Sequence, residues 1–179
     1  MQLRLATLDD AEGIRAIYNV EVLTSTVTFD LVPRSLDDQR RWLADRSGAH
    51  AVLVAVDGRE VIGFGSLSPY RDRPAYRTTV EDSVYVHPDH QGEGVGRALL
   101  AELVELAADH GFHAVMARIV GGHEASIRLH RSLGFTVVGT EREVGRKFNR
   151  WLDVVLMQRL LTDPPSTDAP VGGEPRRVP

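Results

Sequence analysis

The chain of 179 residues contains no cysteine. This absence excludes disulfide bonds, metal sites built from cysteine thiolates and a cysteine nucleophile. Any group transfer that passes through a covalent cysteine intermediate is therefore impossible for this chain.

Positive charge and long apolar runs are also scarce. The chain has 21 lysines and arginines against 25 acidic residues, a net charge of −4 and no basic block, so nucleic acid is not an expected partner. No run approaches the roughly 18 apolar residues of a membrane-spanning helix. The first residues also lack the form of a signal peptide. We therefore expect a cytoplasmic protein with no membrane partner.

The composition, with 42% hydrophobic residues, is typical of a soluble α/β domain. A chain of this length buries about two-thirds of its unfolded surface. Residues 162–179, however, contain five prolines, two glycines and no aromatic residue. Such a segment cannot bury enough surface to offset the entropy of ordering. The sequence predicts one domain over residues 1–161 and a disordered Pro/Gly-rich tail over residues 162–179.

Three glycines alternate at the point where a predicted strand over residues 80–86 gives way to a predicted helix over residues 95–110. These are Gly92, Gly94 and Gly96. A helix N-terminus carries unpaired N–H groups and the positive end of the helix dipole, and glycines let a phosphate approach them closely. The stretch predicts a phosphate cradle. The alternative is an ordinary glycine-rich turn.

The predicted order of elements is β-α-α-β-β-β-α-β-α-β-β, with a first helix starting at Thr7 and final strands at residues 135–139 and 151–157. This order favours a mixed, strongly twisted sheet with helices on both faces. A dinucleotide site would require an acidic residue about 20 positions after the glycines. Residues 111–118 contain no Asp or Glu, so a Rossmann fold is disfavoured.

The glycine stretch and three further motifs resemble the GNAT acetyltransferase superfamily. The spacing Gln91-x-x-Gly94-x-Gly96 matches the acyl-CoA motif of that superfamily. More narrowly, residues 81–86, 126–135 and 145–153 resemble the phosphinothricin / methionine sulfoximine N-acetyltransferases. The resemblance covers residues 1–161. It implies an α/β fold with a central, mostly antiparallel sheet, transfer from acetyl-CoA to the amine of a small amino-acid-like acceptor in a ternary complex, and a homodimer.

The same resemblance implies how acetyl-CoA binds. Its pyrophosphate would lie on the N–H groups of residues 92–97, and its pantetheine arm would pair with the strand edge at residues 84–86. The Val86 N–H would be the oxyanion donor. His123 stands where relatives usually carry an asparagine that contacts the coenzyme, and an imidazole has a different reach. The predicted coenzyme-binding residues are Val84, Tyr85, Val86, Gln91, Gly92, Glu93, Gly94, Val95, Gly96, Arg97, Ala98, His123 and Ser126.

Three residues are candidates for proton transfer. Glu81 is the candidate general base, because a carboxylate in a partly buried cleft has a raised pKa. His130 is the candidate acid for the leaving thiolate, and Tyr85 is a further acid candidate. Period-two alternation places Glu81 on the strand face of Ser83 and Tyr85 unless a bulge intervenes. The alternatives are a solvated glutamate and a histidine that only packs a helix.

The acceptor is expected beside an arginine-rich loop, because guanidinium groups match carboxylate and phosphinate oxygens. No metal site is predicted. Two other functions stay open: acetylation of another amine, such as a different amino acid or a peptide N-terminus, and non-catalytic sensing of acyl-CoA. The predicted acceptor-binding residues are Phe29, Arg71, Arg73, Tyr76 and Glu81, and Lys147, Phe148, Arg150 and Trp151 are candidates to line the site from the same or a neighbouring subunit.

Overall fold

The computed structural model describes residues 1–161. The predicted tail at 162–179 lies outside these residues, and the division into domain and tail stays a prediction. The strands are β1 (Gln2–Leu5), β2 (Val52–Asp57), β3 (Glu60–Pro69), β4 (Thr79–Val86), β5 (Ala114–Val120), β6 (Thr136–Lys147) and β7 (Arg150–Leu160), and the helices are α1 (Ala11–Thr24), α2 (Leu36–Ala44), α3 (Val95–Asp109) and α4 (Glu124–Ser132).

The seven strands form one sheet in the order β1-β2-β3-β4-β5-β7-β6. Every neighbouring pair is antiparallel except β4 and β5, which are parallel. The predicted mixed, mostly antiparallel sheet is therefore confirmed. The crossover that joins the two parallel strands is α3, and its N-terminus carries the glycine stretch.

Helices cover both faces of the sheet, as predicted. On one face α3 and α4 bury Leu99, Leu103 and Ile127 in a core shared with β5. On the other face α1 packs Ile14 and Ile17 into a second core with β2 and β3. Within residues 1–161, no helix combines the length and the apolar composition that crossing a membrane requires.

The first helix begins later than predicted. Thr7 caps a single 3-10 turn over Leu8–Asp10, and the α-helix starts at Ala11. The reason is the buried carboxylate of Asp10, which accepts bonds from the Thr7 N–H at 2.7 Å and from both terminal nitrogens of Arg4 at 2.7 Å. These bonds hold the turn separately from the helix that follows.

The last two strands are longer than predicted and form one hairpin. Phe148 and Asn149 form its two-residue turn with φ angles of 48° and 58°, as expected for a tight hairpin turn. The prediction missed residues 140–147 because β6 is the edge strand. Most of its side chains are exposed, so its sequence carries no apolar pattern.

The sheet opens between β4 and β5. Their pairing covers only three register pairs and ends with Glu81 opposite Met116. Beyond that pair, β4 stays bonded to β3 through Val86, while β5 stays bonded to β7 through Val120. A cleft therefore separates the second half of β4 from the second half of β5.

Two glycines on β3 let α3 lie close to the sheet. A Cβ at Gly63 would lie 2.9 Å from Val95 Cγ1, and a Cβ at Gly65 would lie 2.8 Å from Leu103 Cδ1. Because real Cβ atoms do not approach that closely, any side chain here would push α3 outward. The position of the α3 N-terminus beside the cleft therefore depends on this contact.

We predict that Gly65→Ala destabilises the protein by about 1–3 kcal/mol, the usual cost of overpacking a core. Gly139→Ala is the matched control, because a Cβ there meets nothing within 4 Å and its φ is not positive. Urea unfolding of both variants measures the difference. Equal free energies of unfolding in the two variants would show that α3 has room to move.

Candidate active site

A cavity of about 640 Å³ occupies the cleft between β4 and β5 and continues to the N-terminus of α3. It brings together most of the residues predicted to bind the coenzyme. Those on its wall are Val84, Tyr85, Val86, Gln91, Gly92, Gly94, Gly96, Arg97, His123 and Ser126, together with His130.

The β4 edge presents unpaired backbone groups to this cavity. The His87 N–H donates to the Ile62 carbonyl oxygen at 2.9 Å. Because antiparallel pairs alternate, the N–H and C=O groups of Tyr85 point toward β3, whereas those of Val84 and Val86 point into the cleft. The backbone of Tyr85 is thus excluded from direct pairing with a ligand in the cleft.

The glycine stretch presents a second set of unpaired groups. The N–H of Gln91 bonds the Pro88 carbonyl and the N–H of Ala98 bonds the Gly94 carbonyl. Within the described chain, the six N–H groups of residues 92–97 have no backbone partner. Gly92 and Gly94 have φ angles of 83° and 85°, and a Cβ at either would point into open space. The stretch therefore has the form of an anion cradle at a helix N-terminus.

Three predicted coenzyme residues do not line the cavity. The Glu93 carboxylate lies 2.9 Å from His90 Nδ1 on the surface. The side chain of Val95 is buried in the core, so only the backbone N–H of this residue can contact a ligand. The N–H of Ala98 already closes the first turn of α3. A sequence motif does not distinguish these contributions, because it does not show which way each group points.

His130 forms a buried pair with a residue to which the sequence analysis gave no role. Its Nε2 lies 3.1 Å from Oδ2 of Asp82, and its Nδ1 lies 2.8 Å from the carbonyl oxygen of Ser126. His130 is 4% exposed and Asp82 is 6% exposed. Burial lowers the pKa of His130, but the hydrogen bond and charge of Asp82 and the Ser126 carbonyl together raise it overall. The two residues are 48 positions apart, so no local signal predicts the pair.

Glu81 lies at the point where β4 and β5 begin to separate, on the opposite strand face from Asp82. No bulge interrupts the β3–β4 register, so Glu81, Ser83 and Tyr85 share a face, as predicted. Burial raises the pKa of the Glu81 carboxyl, and the nearby charge of Arg118 partly opposes that rise. Glu81 itself is not on the cavity wall. It is adjacent to the wall through Asp82 and Ser83.

Arg118 was missed by the sequence analysis. It lies on β5 two residues beyond Met116, the register partner of Glu81, and therefore on the same sheet face. It lines the cavity, and one of its terminal nitrogens lies 2.6 Å from a carboxylate oxygen of Glu141. An isolated arginine in a strand gives no sequence signal of this position.

The predicted acceptor-binding residues are only partly brought together. The Arg71 guanidinium lies 5.8 Å from the Tyr76 ring, and its charge acts on Glu81. None of Arg71, Arg73, Tyr76 and Phe29 lies on the cavity wall. The ring of Phe29 instead lies over Gly145, where a Cβ would be 2.2 Å away.

The end of α1 and the loop after it form a further part of the wall. Glu21 of α1 and Ser25 and Val27 of the loop line the cavity. Lys147, at the end of β6, secures this loop: its Nζ donates to the carbonyl oxygens of Thr28 at 2.9 Å and Glu21 at 3.3 Å. Lys147 is 4% exposed and is therefore a support of the wall. Phe148, Arg150 and Trp151 are exposed on the outside.

The ring of Tyr85 belongs to an aromatic cluster and does not face His130. It stacks on Phe64 at 5.1 Å and meets the edge of Tyr18 at 5.2 Å. Burial raises the pKa of the Tyr85 hydroxyl well above its ordinary value, which makes it a weaker acid. Within residues 1–161, no group of three or more His, Asp or Glu side chains is arranged to hold a metal ion.

Comparison with known proteins identifies the same family that the sequence motifs resemble. The family model described as an acetyltransferase (GNAT) domain matches residues 3–156. An L-methionine sulfoximine/L-methionine sulfone acetyltransferase of Salmonella typhimurium is 41% identical over 170 residues, covering 94% of this chain and 99% of that protein. A phosphinothricin N-acetyltransferase of Streptomyces coelicolor is 40% identical over 165 residues, covering 90% of this chain and 96% of that protein.

A solved structure agrees over nearly the whole chain. The crystal structure of a GNAT superfamily phosphinothricin acetyltransferase from Sinorhizobium meliloti, in complex with acetyl-CoA, superimposes with a TM-score of 0.87 at 39% identity. The match covers 97% of this chain and 95% of that one. The predicted family and enzyme class are confirmed, and the chain belongs to the GNAT acetyltransferase family.

Proposed function

We propose that this protein transfers the acetyl group of acetyl-CoA to the amino group of a small amino-acid-like acceptor, such as phosphinothricin or methionine sulfoximine. The names of the similar enzymes support this class of acceptor. The observation that carries the proposal is the cleft itself. It joins six unpaired N–H groups of residues 92–97 at one end to His130 at the other, and Glu81 lies next to the wall there, adjacent to Asp82.

In the proposed complex, acetyl-CoA lies along the open edge of β4. The N–H groups of residues 92–97 hold the pyrophosphate, and the cleft-facing groups of Val84 and Val86 pair with the amides of the pantetheine arm and with the thioester. At about 3.3 Å per residue, the Val84 N–H is about 10 Å along the strand from Glu81, and that of Val86 about 16 Å. We therefore propose the Val84 N–H as the oxyanion donor in place of the Val86 N–H that the resemblance implied, and Val86 suits the pantetheine arm.

The acid and the base then act from opposite faces of β4. Glu81 accepts the proton of the attacking amine, directly or through a water, because its raised pKa makes it a stronger base than an ordinary glutamate. His130 supplies the proton to the leaving thiolate. The Tyr85 hydroxyl has no role in this scheme, because burial within the aromatic cluster weakens it as an acid.

The acceptor is proposed to carry a negative group that Arg118 and Arg71 neutralise. Arg118 is fixed by Glu141 through one nitrogen, and its remaining N–H donors are free for a carboxylate within the described chain. Arg71, resting near Tyr76, approaches from the loop. A non-catalytic acyl-CoA sensor would not need two arginines and a carboxylate with a raised pKa at one end of the cleft.

The protein is also proposed to be a cytoplasmic homodimer, and cell fractionation tests its location. Six large apolar side chains are exposed on the β6–β7 hairpin, and large exposed apolar patches mark interaction sites between proteins. Because β6 is the sheet edge, side chains of the hairpin can pack against a second copy. The six are Val137, Val138, Val144, Phe148, Trp151 and Leu160.

We predict that the protein releases coenzyme A thiol when acetyl-CoA is mixed with phosphinothricin or methionine sulfoximine, and that Glu81→Gln lowers kcat by on the order of 10²–10⁴. Binding of acetyl-CoA, measured by calorimetry, should be unchanged.

In the wild type, kcat/KM should rise with pH as Glu81 loses its proton, at a pH above the ordinary pKa of 4.5. That rise should vanish in Glu81→Gln. Tight coenzyme binding without turnover of any amine in a panel would favour a sensor.

We predict that Arg118→Gln raises the acceptor KM at least about tenfold, since a charge-assisted hydrogen bond contributes about 1.5–3 kcal/mol. The KM of acetyl-CoA should not change. Arg142→Gln, an exposed arginine on β6 away from the cavity, is the control. Steady-state kinetics with acceptors that have or lack a carboxylate measure the effect. An Arg118→Gln enzyme that still prefers the carboxylated acceptor would rule out this assignment.

We predict a solution mass of twice the 19.8 kDa chain mass in size-exclusion chromatography with light scattering. Trp151→Ser, which removes an exposed ring from the hairpin, should weaken the dimer. Leu8→Ser, which removes a similarly exposed side chain at the other end of the chain, should not. A single-chain mass for the wild type at every concentration would contradict the dimer.

A further inference from the structure

We propose that Asp82 is a positioning residue that keeps both ring nitrogens of His130 protonated, so that His130 already carries the proton for the leaving thiolate when the acceptor binds. The proposal deepens the acetyl-transfer function above and rests on it. Asp82 lies within a motif of the sequence analysis, but no role was assigned to it there. The inference comes from the two hydrogen-bond partners of His130.

Both ring nitrogens of His130 face hydrogen-bond acceptors. Nδ1 is 2.8 Å from the Ser126 carbonyl oxygen, and Nε2 is 3.1 Å from the Asp82 carboxylate. A neutral imidazole has one N–H and can donate to only one of them. With Asp82 ionised, both bonds exist at once only when the ring is an imidazolium. The geometry therefore describes a buried ion pair between β4 and α4.

Asp82 has no other donor to satisfy it. Among residues 1–161, His130 is its one side-chain or backbone hydrogen-bond partner, and its Oδ1 is buried without a partner. A buried carboxylate that loses its cation costs several kcal/mol. The carboxylate therefore strongly favours the charged form of the ring beside it.

The other neighbours of His130 do not compete with Asp82. The apolar Phe135 ring, which follows α4, lies nearly perpendicular to the imidazole, with 5.1 Å between the ring centroids. The remaining titratable neighbour is His123 at the start of α4, and burial lowers the pKa of that imidazole, so it is uncharged at neutral pH. Asp82 on β4 is thus the charge that determines the protonation of His130.

The two protons of the imidazolium are not equivalent. Loss of the Nε2 proton would leave a lone pair against the charged Asp82 carboxylate, whereas loss of the Nδ1 proton leaves one against the uncharged Ser126 carbonyl and a ring that still donates to Asp82. The Nδ1 side is also the accessible one. Ser126 is half-buried on the cavity wall, and its Oγ lies 3.4 Å from Nδ1.

When the carbon–sulfur bond of the tetrahedral intermediate breaks, its electron pair stays on sulfur. The sulfur takes a proton from the Ser126 hydroxyl, which in turn takes the Nδ1 proton of His130. The products are the thiol, the acetylated amine and a neutral His130 with its proton on Nε2. Solvent returns the missing proton before the next turnover.

The test is Asp82→Asn, which removes the charge and keeps the shape. We expect the alkaline limb of the kcat profile to move down by about one pH unit or more, because an opposite charge at this distance raises a pKa by about 1–3 units. At a pH above the high-pH decline of both enzymes, the kcat of Asp82→Asn should be lower than that of the wild type by on the order of tenfold. At low pH its activity should be near that of the wild type. Acetyl-CoA binding should be unchanged. Asp89→Asn, at an exposed histidine–aspartate contact of 3.9 Å, should leave the profile unaltered.

Nuclear magnetic resonance of the ring nitrogens of His130 provides a readout that does not depend on turnover. Both nitrogens should be protonated at pH 7 in the wild type, and Asp82→Asn should leave one. A wild-type ring with a single proton at pH 7, or an unchanged alkaline limb in a folded Asp82→Asn enzyme, overturns the proposal. If no amine is acetylated, the proposed function fails and the catalytic role of Asp82 with it, while the resonance measurement still decides whether Asp82 holds the second proton.

Discussion

The ladder between β4 and β5 stops after three register pairs, and the backbone groups left unpaired beyond it determine where a substrate can lie. Buried N–H and C=O groups are costly without partners. The open edge of β4 therefore favours a ligand that carries amides of its own. The six N–H groups of residues 92–97 extend the same edge toward a negative charge. One interruption of the sheet thus provides both the strand edge proposed to bind the donor and the cavity proposed to hold the reacting groups.

Because side chains alternate along β4, the neighbouring residues Glu81 and Asp82 lie on opposite faces of the sheet. Asp82 points to the face covered by α3 and α4, where it meets His130. Glu81 points to the face covered by α1, where it lies near the charges of Arg118 and Arg71. The proposed base and the proposed acid therefore lie on opposite faces of one strand.

The sequence predicted the parts of the site that depend on neighbours in the chain. The spacing of Gly92, Gly94 and Gly96 indicates a strand-to-helix cradle because it reports local backbone geometry. The pair of Asp82 and His130 was not predictable, since it joins a strand to a helix 48 positions away. Arg118 was missed for the same reason. The length of β6 was underestimated because an exposed edge strand has no apolar pattern to reveal it.

The burial of Lys147 behind the cavity wall determines which amines the chain exposes to solvent. Lys147 is the one lysine of the chain, and all its other basic side chains besides histidine are arginines. Its amine is buried and donates to two backbone carbonyls. Guanidinium groups stay protonated and are not nucleophiles at neutral pH. The chain therefore presents no exposed lysine side chain that could compete with the acceptor amine for the acetyl group.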